Sequence, residues 1–151
     1  MKPQIFTLHN QILEATLPEA AFPFLVDGKK HTIALVGGGG KTTLMYFFGD
    51  TYEKQNVPTL ITTTTHIRMP EDGSYVTTMA AAYRRWDAQR YAVVGMPDQA
   101  GKLKALPETE LHAYQKRAKQ ILVEADGAKM CPCKVPAEHE PVIPQECDIV
   151  I

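Results

Sequence analysis

Residues 32–43 read Thr-Ile-Ala-Leu-Val-Gly-Gly-Gly-Gly-Lys-Thr-Thr. An apolar, strand-forming run from Ile33 to Val36 meets four glycines, then a lysine and two threonines. A helix-forming stretch from Leu44 to Phe48 follows. This is the strand–loop–helix order of a phosphate-binding loop. Glycines without Cβ let the backbone of Gly37, Gly38, Gly39 and Gly40 wrap an anion with N–H groups pointing inward. The start of the helix adds the positive end of its dipole. Lys41 can reach β- and γ-phosphates, the Thr42 hydroxyl can ligate Mg²⁺, and Thr43 lies in the same turn. The expected ligand is a Mg²⁺-bound nucleoside triphosphate, ATP or GTP. The match departs from the strict G-x-x-x-x-G-K-[ST] pattern, because Leu35 stands where the first glycine belongs. A plain glycine-rich turn of a Rossmann-like domain is the competing reading.

Outward from the loop, apolar runs alternate with helix-like stretches. Strands are expected at His31–Val36, Val57–Ile61, 73–78, Tyr91–Gly95, Gln120–Ala125 and Asp148–Ile151. Helices are expected at 41–54, 79–89 and 108–118, with Lys102–Leu106 a hairpin partner across Asp98–Gly101. This alternation predicts an α/β fold with a mainly parallel sheet, a P-loop NTPase-like three-layer arrangement. Upstream, Ile5, Leu8, Ile12, Leu13 and Leu17 fall at near-helical spacing and Pro18 closes the run. Residues 1–30 are therefore expected to be a helical lead-in, and residues 31–151 the nucleotide-binding domain. The chain stops inside an apolar strand, which reads as a sheet whose C-terminal part is missing.

The 151 residues suit one domain, with 44% hydrophobic and 22% charged residues. A net charge of −1 gives no basic field for nucleic acid. No apolar run approaches the ~20 residues of a spanning helix, so no membrane partner is expected. Three cysteines make a poor disulfide framework, and a cytoplasmic protein with reduced thiols is expected.

Three further patterns carry chemistry. Glu124 and Asp126 sit at the exit of the run Ile121–Val123, two residues apart and so on one face if the strand persists that far. Carboxylates in that setting hold Mg²⁺ and its water, though a solvated strand end looks similar. Thr62-Thr-Thr-Thr65-His66 follows the second strand, at the end where α/β sheets bind ligands. The hydroxyls of Thr64 and Thr65 suit phosphate oxygens and His66 a water or phosphate; a plain β-prone run is the alternative. Glu138-His139-Glu140 lies in the proline-rich stretch 130–147, where His139 is an acid–base candidate and an exposed connector the alternative. Catalytic candidates are thus His139, His66 and Asp126; metal candidates are Thr42, Glu124 and Asp126. Cys131-Pro-Cys133, with His139 and Cys147, lacks the spacing of a zinc knuckle.

Together, Val-Gly-Gly-Gly-Gly-Lys-Thr-Thr (36–43), Thr-Thr-Thr-Thr-His (62–66), Val-Glu-Ala-Asp-Gly-Ala-Lys (123–129) and Pro-Ala-Glu-His-Glu-Pro-Val-Ile-Pro (136–144) closely resemble the YqeC family. The resemblance spans residues 33–151. It implies an accessory protein for selenium-dependent molybdenum hydroxylases, with such an enzyme as client and selenium cofactor biosynthesis as the setting. It gives the cysteines at 131 and 133 no role. Two other classes stay open: a non-hydrolysing scaffold or chaperone for cofactor or apo-enzyme, and an ATP-dependent ligase, since Gly-Lys-Thr-Thr also opens Mur-type ligase sites.

Overall fold

The computed structural model describes residues 4–127 and 138–151. The expected helix over 5–17 is instead a β-hairpin, β1 (Phe6–His9) paired antiparallel with β2 (Ile12–Ala15). Asn10 and Gln11 both take positive φ, 49° and 65°, the conformation of a two-residue hairpin turn. The apolar spacing that mimics a helix has no buried face to serve, because all eight strand residues are exposed. A short helix, α1 (Pro18–Ala21), and a 3-10 turn at Pro23–Leu25 lead into the main body.

There, β3 (His31–Leu35) is followed by α2 (Lys41–Lys54), then β4 (Thr59–Thr63) and β5 (His66–Arg68). Next come α3 (Met79–Asp87), β6 (Ala92–Val93), β7 (Met96–Asp98) and β8 (Lys102–Lys104). The described chain closes with α4 (Glu108–Gln115), β9 (Gln120–Glu124) and β10 (Ile149–Val150). Five strands form one parallel sheet in the order β10-β3-β9-β4-β6. The expected strand over 73–78 shrinks to a bridge between Tyr75 and Val93.

Strand alternation sends side chains to two cores. Ile33, Leu35, Ile61 and Leu122 pack with Met45, Phe48 and Tyr52 of α2. Ala34, Leu60, Ile121 and Val123 pack with Ala82 and Trp86 of α3 and Tyr114 of α4. β3, β4 and β9 are buried along their whole length, which is why each holds an unbroken apolar stretch: Ile33–Leu35, Leu60-Ile61 and Ile121–Val123. A second, antiparallel sheet, β5-β8-β7, follows the end of β4. Gly95 is required at its root, where an added Cβ would lie 2.9 Å from the Leu103 side chain. Among the described residues no helix is long and apolar enough to cross a membrane.

A clasp ties both flanks to β3. The buried His31 ring bonds Asp148 through Nδ1, at 2.5 Å, and Asp27 through Nε2, at 2.9 Å. Asp148 also accepts the Thr32 N–H at 2.7 Å. Burial alone would depress the His31 pKa, but the two carboxylates overcome it and raise it above the ordinary 6.5. Asp27 is lowered from 3.8 by the Lys29 N–H and then by His31; Asp148 is lowered by His31 and the Thr32 N–H against an opposing burial effect. The His31 contribution to stability is therefore full below about pH 6.5 and fades as pH rises through its elevated native value. The carboxylates contribute above about pH 3.8 and lose that contribution as pH falls through their depressed native values. Thermal melts of wild type and His31→Gln should differ most near pH 5–6 and converge toward pH 9. A pH-independent difference would contradict the clasp.

Candidate functional site

Parallel strands end on the same side of a sheet, so the C-terminal ends of β3, β4 and β9 bring three of the sequence motifs together. In register, Leu35 lies opposite Glu124, and Thr63 opposite Glu124 on the other flank. Gly37 and Gly40 take φ of +86° and +90°, which L side chains rarely adopt. No atom lies within 4 Å of a Cβ built at either position, so backbone conformation rather than crowding demands glycine there. Gly38 is half-buried, while Gly39, Gly40 and Thr43 are exposed.

Lys41, only 7% exposed, folds back into the loop. Its ammonium donates to the carbonyls of Gly37 at 2.6 Å and Gly38 at 2.9 Å. The Thr42 hydroxyl donates to Glu124 Oε2 at 2.9 Å. Asp126 Oδ2 accepts the Gly37 N–H at 3.0 Å. The two acids thus grip the loop at opposite ends, Glu124 at the start of α2 and Asp126 at the first glycine. Burial raises the Glu124 pKa, and Asp126 adds to this; the Thr42 hydrogen bond and the Lys41 charge oppose it.

The threonine run is bound chiefly to backbone. Thr63 Oγ1 donates to the Glu124 carbonyl at 2.8 Å and accepts the Thr65 N–H at 2.9 Å. Thr64 Oγ1 donates to the Val142 carbonyl at 2.7 Å. The Thr65 hydroxyl lies 3.4 Å from that of Thr63. The Val142 N–H in turn bonds the Ala125 carbonyl at 2.9 Å, so residues 140–142 strap the end of β9. A Cβ at Gly127 would lie 3.9 Å from Glu140 Oε1, placing that carboxylate beside the exit of the acidic strand. Sequence reasoning treated Glu140 only as a neighbour of His139; nothing local in the sequence signals this long-range placement.

His139 is exposed on the turn before this strap. His66 is exposed on β5, with Nε2 3.0 Å from Asp98 Oδ2 in the second sheet. The Cys147 thiol donates to the Ile149 carbonyl at 3.0 Å. Cys131 and Cys133 lie outside the described residues. Among the described residues no group of three or more His, Cys, Asp or Glu is arranged to hold a metal by itself. The hard oxygens of Thr42 and Glu124 fit Mg²⁺, which commonly binds one or two protein oxygens and completes its shell with phosphate and water.

No solved structure matches this chain. It is similar to "Uncharacterized protein YqeC" of Escherichia coli (strain K12), 32% identical over 135 residues, covering 79% of this chain and 49% of the relative. The chain therefore spans about half the length of that relative. The model of the YqeC protein family matches residues 33–151, a span that holds the glycine loop, the threonine run, the acidic strand and the strap. The chain belongs to the YqeC family.

Proposed function

We propose that this chain binds a Mg²⁺–nucleoside triphosphate at Gly37–Thr43 and acts as an accessory factor in maturing a selenium-dependent molybdenum hydroxylase. The observation that carries the nucleotide reading is the Lys41–Thr42–Glu124 arrangement: an ammonium inside a glycine loop, and a hydroxyl bonded to a buried carboxylate at the helix start. Phosphate oxygens would replace the Gly37 and Gly38 carbonyls as partners of Lys41. Thr42 and Glu124 would hold Mg²⁺, whose chemistry when bound is charge neutralisation at the phosphates. Asp126 fixes the first loop glycine and stands, with His66 and His139, as an acid–base candidate. The Thr64 and Thr65 hydroxyls stand as the candidates for phosphate oxygens. The accessory role rests on family membership alone, and the selenium enzyme is the client that membership suggests.

Lys41 satisfied by its own loop also favours a second reading, a scaffold that uses nucleotide as a structural ligand. Turnover measured with and without client protein separates the two: client-stimulated hydrolysis supports an enzyme, and binding without hydrolysis a scaffold.

Glu124→Gln tests the metal contact. A carboxyl with a raised native pKa binds its proton more tightly folded than unfolded. Stability therefore falls as pH rises above the ordinary 4.5 through the native value, and a neutral glutamine escapes that loss. At pH 7 Glu124→Gln should raise Tm, by about 2–4 °C for each kcal/mol relieved. It should weaken Mg²⁺–nucleotide more than metal-free nucleotide. A lower Tm with an unchanged Mg²⁺ preference would overturn this assignment.

A further inference from the structure

An open pocket of about 490 Å³ runs along α2, beside the glycine loop. Thr42, Tyr46 and Asp50 line it, spaced four residues apart and so on one helix face. The segment 68–72 and Tyr91 form the other walls. The Tyr46 and Tyr91 rings lie 6.1 Å apart, and Tyr91 donates to Asp72 Oδ2 at 3.3 Å. The Tyr46 hydroxyl is buried and has no hydrogen-bond partner among the described residues. A buried hydroxyl in that state is commonly met by an ordered water.

The charge around the pocket selects the ligand. Asp50, Glu71 and Asp72 face it together with Arg68, whose guanidinium donates to Glu71 at 3.0 Å. The carboxylates outnumber the guanidinium, which disfavours an anion. Burial, then Glu53, push the Asp50 carboxyl up, and Asp72 adds to this, against the opposing charges of Lys54 and Arg90. The two tyrosine rings in the lining suit an organic cation. Tyrosine faces attract such cations, and carboxylates accept their N–H groups.

We propose that this pocket binds a small primary amine as its ammonium ion, with the charge toward Asp50 and Asp72 and the carbon body against Tyr46 and Tyr91. Its position next to a nucleotide rests on the reading of the glycine loop, through the shared Thr42; amine binding itself does not.

The test is NMR titration of the isotope-labelled full chain, without nucleotide, using phenethylamine, 2-phenylethanol and phenylacetate. Saturable shifts at Tyr46, Asp72 and Tyr91 are expected with phenethylamine, at least tenfold tighter than with the alcohol and absent with the anion. Asp72→Asn and Asp50→Asn, both at exposed positions, should each weaken the amine several-fold with the remaining spectrum unchanged. Equal binding of amine and alcohol, shifts mapping elsewhere, or no saturation would overturn the proposal. ATP added to the same samples reports on the loop separately, so either reading can fail alone.

Discussion

Lys41→Ala should lower affinity for nucleoside triphosphate ten- to a hundredfold. The lysine is buried at the head of α2 and its ammonium sits between two loop carbonyls. Triphosphate offers anionic oxygens in their place, and such charge-assisted bonds are worth roughly 1.5–3 kcal/mol. By the usual tenfold for each ~1.4 kcal/mol, that is the stated loss. Alanine keeps the helix, being its best former, and leaves the loop glycines free to keep their positive φ. The check is calorimetric titration of both proteins at one salt concentration. Equal affinities would remove Lys41 from the site.

Phe48→Ala should destabilise the fold by about 3–5 kcal/mol. Phe48 has no exposed surface and lies on α2 against the sheet. Its ring meets Phe22 edge-on at 5.0 Å and Phe24 at 5.5 Å, so it fastens the 18–30 segment to the main body. Removing it leaves a cavity between two rigid layers that cannot collapse fully. Urea unfolding should show a much lower midpoint with an unchanged slope. Leu13→Ala, at a hairpin position that is 69% exposed, should stay within about 0.5 kcal/mol of wild type. Similar losses in the two variants would mean that the packing account of α2 is wrong.

The parallel sheet was legible because its central strands are apolar on both faces: Ile121-Leu122-Val123 admits few other readings at that length. The hairpin was not. Ile5, Leu8, Ile12, Leu13 and Leu17 fit a helical stripe, and Asn10-Gln11 lacks the glycine that marks most two-residue turns. β5 was missed because His66-Ile67-Arg68 offers one buried side chain between two exposed ones. At the site, strand alternation would put Glu124 and Asp126 on one face, but β9 ends at Glu124 and Asp126 lies beyond it. Alternation could not say which would meet Thr42. That depends on the register of β9 against β3, which sets Glu124 opposite Leu35 and carries Asp126 on to the Gly37 N–H. The strap was hidden for the same reason: the bond from Thr64 to Val142 spans 78 residues.

The most direct measurement of the central claim is isothermal titration of the full chain with ATP and with GTP, each with and without Mg²⁺. Saturable one-site binding of at least one nucleotide is predicted, tightened by Mg²⁺ and weakened at least tenfold in Lys41→Ala. No binding of either nucleotide at millimolar concentration, or binding indifferent to both Mg²⁺ and Lys41, would contradict it.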